Sequence, residues 1–306
     1  MFFLGTPDIV AYEINTSRHK ELSMKNIKKL IGIAAVVAVM VFAFSACGDG
    51  GGGNGITGGG NGNTGGGDPW AGYSAGLYIG APSTLTASST PEAVTPNNLT
   101  AAVTYINANV NEYTLLIDAD INAGDQLLDN DDVKLTIIGI GGERTIQYNG
   151  AANSYLFEIT ADRASLTLGQ NVTLKGIPNS TVNLVCVTGG SSSVLIMLDG
   201  SKITGHTTSA DGTVFIGGAY TNNYNSLIMH GGEITGNHST SAAGSGGVYL
   251  YYYGSIIMDG GSITGNTRGG TAEPMDVVFS NPAYSTSAGT SHTGDTIGVS
   301  DPAEPW

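Results

Sequence analysis

The chain is poor in basic residues, in charge overall and in cysteine. Lys and Arg number 11 of 306 residues against 25 Asp and Glu, and only 12% of residues are charged. Such a chain lacks the cations that neutralise a run of phosphates, which excludes a basic nucleic-acid-binding protein. Collagen is excluded because the 47 glycines follow no strict three-residue period. A hydrophobic share of 41% argues against general disorder.

The two cysteines have different settings. Cys186 lies within the short apolar run Asn183–Thr188 and has no base or metal-ligand spacing near it. This setting predicts a buried and unreactive thiol. Cys47 instead follows the longest apolar segment of the chain.

Residues 24–46 have the anatomy of a secretory signal peptide. Three lysines within residues 25–29 precede the run Leu30–Phe44, which carries no charge. That run is shorter than the roughly 20 residues that a membrane-spanning helix needs. We therefore expect Met24 to be the true start and residues 1–23 to be a mis-assigned upstream extension. An uncut signal anchor is the alternative.

The segment Phe44-Ser-Ala-Cys47 resembles a bacterial lipobox. Two small residues precede the Cys, as in that family, and Phe44 stands where the family usually has Leu. The resemblance implies that Cys47 receives diacylglycerol on its sulfur and becomes the new N-terminus. The residue after Cys47 is Gly48, and not the Asp that would resemble an inner-membrane retention signal. We therefore predict a lipid-anchored protein of the cell envelope, at the outer membrane or the cell surface.

The lipidated Cys and a glycine-rich tether occupy residues 47–67. More than half of the segment Gly48–Gly67 is glycine. A flexible chain of this length spans about 25 Å on average, enough to lift a folded domain off a membrane. Cleavage before Cys47 removes three acids and five bases, which leaves 22 acidic and 6 basic residues. That balance repels anionic lipid, so membrane attachment would depend on the acyl group.

Residues 133–280 form a repeat array. Four similar segments each contain a corner glycine, and these glycines recur with a period of about 30 residues, which is typical of repeat proteins. Each unit holds about three short runs rich in Ile, Val, Leu, Thr and Tyr, separated by Gly, Asn and Asp. Such units are strands that stack on one another in a solenoid. The corner glycines are Gly176, Gly205, Gly236 and Gly265.

The segments Gly231-Gly-Glu-Ile-Thr-Gly-Asn237 and Gly260-Gly-Ser-Ile-Thr-Gly-Asn266 carry a resemblance. They are similar to the Gly-Gly-x-Ile-Thr-Gly-Asn repeats of polymorphic outer-membrane proteins. The resemblance implies an all-β fold, a right-handed parallel β-helix. The two asparagines follow equivalent corners, so we expect their side chains to hydrogen-bond along the solenoid. A β-sandwich with coincidental repetition is the alternative.

Residues 68–132 are predicted to hold an N-terminal cap and a first strand. Leu99, Ala102, Val103 and Ile106 share one face of a short helix that an asparagine N-caps, Asn98 or Asn97. Tyr113–Ile121 is then predicted to be the first strand. Residues 281–306 are poor in apolar side chains and are expected to form a loose C-terminal cap or a disordered tail.

An acidic segment near the cap is the one place that partly fits a metal site. Asp118, Asp120, Asn122 and Asp129 partly echo a calcium-binding loop, although Ala123 replaces the glycine that such a loop needs. Asp118 and Asp120, two apart on a strand, would face the same side. A solvated acidic edge is the simpler interpretation. We predict no cofactor and no catalytic residue, and Ca²⁺ stays open as the alternative.

Tyrosines and an apolar stripe are the candidate binding residues. Adjacent tyrosines on a strand cannot all face inward, so some must contact solvent or a partner. The cluster comprises Tyr249, Tyr251, Tyr252 and Tyr253, with Tyr220 and Tyr224 nearby in the sequence. Counting from the corner glycine also places Met197, Ile228 and Ile257 together on the outer face.

These observations predict a non-enzymatic surface lipoprotein. Its expected role is adhesin-like or structural, with a membrane partner through its lipid and a glycan or protein partner through its aromatic residues. The alternative is a carbohydrate-active β-helix enzyme, a polysaccharide lyase or hydrolase. An enzyme needs converging carboxylates or Arg in a groove, whereas a binding protein needs an exposed aromatic or apolar strip.

Overall fold

The computed structural model describes residues 69–218 and 224–280, together with the backbone of residues 291–292. Every described residue belongs to one compact unit of the chain. The predicted signal peptide, Cys47 and the predicted tether lie outside the described residues.

The described part begins with a short strand, a single 3-10 turn and one α-helix. Strand β1 spans Gly76–Ile79, the 3-10 turn spans Pro82–Thr84 and helix α1 spans Leu99–Ala108. The Asn98 side chain accepts the Ala101 N–H at 2.9 Å and so N-caps α1. The four predicted apolar positions of this helix are all buried, which confirms its inward face.

The remaining strands follow in a repeating order along the chain. Semicolons separate the successive groups of strands, and the last strand pairs antiparallel with the strand before it. The strands are β2 (Glu112–Ile117), β3 (Ile121–Ala123), β4 (Gln126–Leu128); β5 (Lys134–Gly139), β6 (Arg144–Tyr148), β7 (Phe157–Ile159); β8 (Ser165–Leu168), β9 (Val172–Lys175), β10 (Val185–Val187); β11 (Val194–Met197), β12 (Lys202–Thr204), β13 (Thr207–Thr208), β14 (Val214–Gly218); β15 (Ser226–Thr235), β16 (His238–Ser239), β17 (Val248–Tyr252); β18 (Ser255–Thr264), β19 (Thr267–Arg268), β20 (Glu273–Pro274), β21 (Val277–Ser280); and β22 (Ser291–His292).

These strands build a β-solenoid of about five turns. Sheet A holds two parallel ladders, β2-β5-β8-β11 and β3-β6-β9-β12, which merge in the long strands β15 and β18. Sheet B stacks β4, β7, β10, β14, β17 and β21 in parallel, and the small sheet C holds β13, β16, β19 and β20. The predicted all-β parallel β-helix with a short N-terminal helix is therefore confirmed.

Identical apolar side chains stack in the interior of sheet A. Leu135, Leu166, Leu195 and Leu227 occupy one register position and are fully buried. Successive residues of a strand point to opposite faces, so every second residue enters the core. Repetition at one position lets each turn cover the apolar face of its neighbour, which a single turn cannot do alone.

The solenoid begins earlier than the repeats indicate. Strand β2 pairs with β5 in register from Glu112 to Ile117, so a turn precedes residue 133. Its corner contains Asp118–Asp120 in place of the Gly-Gly-x-Ile-Thr motif, and the repeat pattern therefore does not reveal it. Strand β1, which the sequence analysis missed, pairs antiparallel with β2 and closes that edge.

A buried asparagine ladder runs through the corners, as the repeats predicted. The Asn237 amide Nδ2 donates to Asn266 Oδ1 at 3.0 Å, and Asn237 Oδ1 accepts the backbone N–H of His206 at 3.1 Å. Asn266 in turn donates from Nδ2 to Asp276 Oδ1 at 2.9 Å. The ladder satisfies buried backbone groups in successive turns and so fixes how the turns stack.

His206 begins this ladder, and we expect it to make stability depend on pH. Its Nε2 lies 3.0 Å from the Val182 carbonyl, and the Ile177 N–H donates to its Nδ1, an arrangement that suits the neutral ring. Burial lowers the pKa of His206 below its ordinary value. The unfolded chain therefore binds more protons than the folded one, and stability falls as pH decreases through about 6.5.

The variant His206→Asn tests this dependence. Asparagine is the residue that the following turns carry at this position, so the ladder is kept while the titration is removed. Unfolding by urea at pH 7.5 and pH 5 should show a smaller loss of stability for His206→Asn than for the wild type. An equal loss in both proteins would contradict a role of His206 in the pH dependence.

Candidate binding surface

One row of side chains points outward from sheet B, along the axis of the solenoid. The register of six parallel strands places these residues at one position, and in the first five strands the neighbours on either side are buried. The row consists of Leu127, Glu158, Cys186, Phe215, Tyr249 and Val278. Strands of a sheet lie about 4.8 Å apart, so the row is about 24 Å long.

Aromatic rings form a continuous chain of contacts at the C-terminal half of this row. Phe215 stacks on Tyr249 with centroids 5.9 Å apart, and Tyr251 lies 6.0 Å from Phe215. The contacts continue from Tyr251 to Tyr252 at 4.4 Å, from Tyr252 to Tyr253 at 6.5 Å and from Tyr253 to Tyr224 at 6.0 Å. We call these six residues the aromatic surface: Phe215, Tyr224, Tyr249, Tyr251, Tyr252 and Tyr253.

The backbone at the end of β17 explains how adjacent tyrosines share this surface. Tyr252 has a φ of 51°, in the left-handed region that costs an L-residue about 1–2 kcal/mol. This conformation interrupts the strict alternation of a strand between Tyr251 and Tyr253. Tyr249 is 8% exposed, the next three tyrosines are half-buried, and Tyr224 is 45% exposed. The surface is thus packed on itself and open to solvent at its rim.

Most residues of this surface were predicted from the sequence as candidate binding residues. Tyr249, Tyr251, Tyr252, Tyr253 and Tyr224 come together as expected, and Tyr220 lies outside the described residues. Phe215 was missed. Its signal was present, because Val214-Phe-Ile216 and Val248-Tyr-Leu250 are equivalent runs of successive repeat units and place Phe215 opposite Tyr249.

Cys186 and Glu158 continue the row beyond the rings. Cys186 is 4% exposed and lies beside Glu158 of the neighbouring strand. Burial raises the pKa of its thiol to about 12. This agrees with the prediction that Cys186 is buried and unreactive. Burial also raises the pKa of the half-buried Glu158 carboxyl.

The predicted apolar stripe on the outer face of sheet A is wrong for Met197, and of the other two residues Ile228 is only 7% exposed. Met197 is fully buried and pairs with Met229, while Ile196 pairs with Ile228 and points outward. The corner between β11 and β12 has four residues, one more than the corresponding corner of β15. When positions are counted back from the corner glycine, the residues of β11 are therefore assigned one position away from their true register. A residue of β11 that faces the core is then assigned to the outer face, and the reverse. Ile257 continues the stripe and is 54% exposed.

The acidic residues near the cap lie in a corner and not on one strand. Strand β2 ends at Ile117 and β3 begins at Ile121, so the prediction that Asp118 and Asp120 lie on one strand is wrong. Asp118 accepts from the Asn97 amide at 2.7 Å, and Asp120 accepts from the Thr145 N–H at 2.8 Å. In the part of the chain that the structure describes, no three His, Cys, Asp or Glu side chains form a group that could hold a metal ion.

Fold and surface together define a β-solenoid with an aromatic outer row on one sheet. Among residues 69–218 and 224–280, no helix is long and apolar enough to cross a membrane. Comparisons of the chain with protein-family models, with curated proteins and with solved structures gave no match.

Proposed function

We propose that this protein is a lipid-anchored cell-surface β-helix with a non-enzymatic, adhesin-like role. The aromatic surface carries the proposal, because five tyrosines and one phenylalanine meet on the outside of a rigid sheet. Tyrosine is enriched among the residues that dominate binding energy at interfaces, where an apolar ring and a hydroxyl both contribute. The surface would contact a glycan or a protein.

The lipobox-like segment and the tether support the proposed location. Acylation at Cys47 would hold the N-terminus at the membrane, and the glycine-rich residues after it would give the folded domain reach. A stacked array suits this role, because each turn holds its outer side chains at fixed spacing along the axis. Surface presentation and a rigid binding row are therefore compatible parts of one proposal.

Removing single rings from the aromatic surface tests the proposed function. Purified protein is applied to a glycan array and to a panel of immobilised extracellular proteins, and affinity for the partner found is then measured. Tyr251→Ala and Tyr253→Ala should each weaken binding at least fivefold, because truncating an aromatic anchor costs about 1–2 kcal/mol or more. Ile79→Ala, an exposed apolar residue on β1, should leave the affinity within twofold.

Two results would contradict the proposal. One is a partner whose affinity neither tyrosine variant changes, which would place the binding surface elsewhere. The other is turnover of polyuronates or neutral polysaccharides by the purified protein, which would favour the enzyme instead.

A further inference from the structure

Positive charge is absent from the described strands of the sheet that carries the aromatic surface. The described residues contain six Lys and Arg, and all of them lie on sheet A, on sheet C or in a corner. The strands β4, β7, β10, β14, β17 and β21 of sheet B hold none. The six are Lys134, Arg144, Arg163, Lys175, Lys202 and Arg268.

Three of these cations already have acceptors within the chain. Arg163 pairs with Asp132 at 2.5 Å, and Lys202 pairs with Glu233 at 3.1 Å. Arg144 donates to the Ile140 carbonyl from both its Nε and an Nη. Contacts within the chain therefore already engage these three cations.

Glu158 is the acid of the outer row and has no such partner. Among the described residues its carboxylate makes no ion pair, and the side chain is half-buried beside Tyr155 and Cys186. A carboxylate removed from water without a partner costs free energy, which a cation brought by a ligand would recover. Two turns along the same row, Phe215 begins the aromatic surface.

The rings of the aromatic surface suit the same chemistry. Tyrosine rings attract Lys and Arg cations, and their hydroxyls accept hydrogen bonds from them. Tyr249 lies against both Phe215 and Tyr251, with ring centroids 5.9 Å and 6.4 Å apart, and Tyr224 at the rim of the surface is 45% exposed. Long and flexible Lys or Arg side chains can reach the exposed rim of these rings and the tyrosine hydroxyl groups together.

We infer that Glu158 and the aromatic surface together bind a partner polypeptide through its Lys or Arg side chains. The inference rests on the proposed function and specifies the chemistry of the partner. The row of about 24 Å matches about seven residues of extended polypeptide at about 3.3 Å each. The strongly acidic chain, with a net charge of −14, would also steer a basic partner towards it.

A labelled ten-residue oligolysine serves as the probe, titrated with the whole protein and followed by fluorescence anisotropy at 50 mM salt. The neutralising variant Glu158→Gln should weaken binding at least fivefold. Glu143→Gln, which removes the same charge from an exposed corner of sheet A, should change affinity less than twofold. Tyr251→Ala should weaken binding of the same probe at least threefold, and thermal melts check that each variant is folded.

Three results would overturn the inference. Equal effects of Glu158→Gln and Glu143→Gln would show general charge attraction without a site. No binding of oligolysine, or tighter binding of a labelled oligoglutamate, would exclude a basic partner. Preference for an amino-sugar oligomer over oligolysine would assign the site to glycans. In that last case Tyr251→Ala still weakens binding of the glycan, so the proposed function stands although the inference fails. The proposed function itself fails if Tyr251→Ala changes the binding of no partner.

Discussion

Replacing Asn237 with alanine is expected to lower the free energy of unfolding by about 3 kcal/mol, because the Asn237 side chain joins three buried groups of neighbouring turns. It accepts the His206 N–H and donates to the Ile203 carbonyl and to Asn266 Oδ1. All of these groups are buried, and a buried donor left without an acceptor costs about 1–3 kcal/mol. Lost packing of the amide adds to that cost.

Urea unfolding followed by circular dichroism measures this effect, and Asn149→Ala is the matched control. Asn149 is exposed, and the described hydrogen bond there is made by its backbone N–H, which alanine keeps. Its replacement should change stability by less than about 0.5 kcal/mol. If Asn237→Ala were as stable as Asn149→Ala, the ladder would contribute little to the stacking of the turns.

Replacing Gly246 with alanine is expected to cost about 4 kcal/mol or more and to unfold the last turns of the solenoid, because the new methyl group would overlap backbone atoms. A Cβ there would lie 2.4 Å from the Thr267 carbonyl oxygen and 2.6 Å from the Asn237 carbonyl oxygen. Both contacts are with backbone of stacked turns, which cannot move without breaking the ladder of hydrogen bonds. Overpacking of this kind is among the few mechanisms that give such large losses.

Alanine variants at two other glycines distinguish this steric effect from the conformational strain of a positive φ. Gly236 has a φ of 66°, and the nearest atom to its Cβ would be Thr204 Oγ1 at 3.2 Å, so Gly236→Ala should cost about 1–2 kcal/mol. Gly270 has open space around it and should tolerate alanine within about 0.5 kcal/mol. Thermal or urea unfolding of the three variants gives the order, and similar values for Gly246→Ala and Gly270→Ala would contradict the steric argument.

Local features of the chain were enough to predict the architecture. The regular spacing of the repeats, the short β-branched runs and the corner glycines indicated stacked parallel strands, and the apolar positions of α1 indicated its buried face. Asn237 and Asn266 could be predicted to meet because they occupy the same place in consecutive repeats. In each case a residue's role depends on neighbours in its own turn or on its equivalent in the next.

Long-range features were not predicted, because they depend on how separate segments meet. Trp70 and Tyr78 pack on Leu116, Ile138 and Ile140 outside the first ladder, although nothing in the N-terminal segment repeats. Strand β1 was missed for the same reason, since the whole of helix α1 separates it in the sequence from its antiparallel partner β2. Such pairings follow from the need to close a sheet edge and not from a local pattern.

The sequence by itself determined the period of this protein, its strand-forming segments, its corner glycines and the equivalence of its repeats. The tertiary structure decided which face each side chain takes. One additional residue between β11 and β12 moves Met197 into the core and Ile196 to the outside, and pairing across turns joins Phe215, Tyr249 and Glu158 in one row. The physical reason is that hydrogen bonds between stacked turns set the register, and a shift of one residue reverses every side chain of a strand.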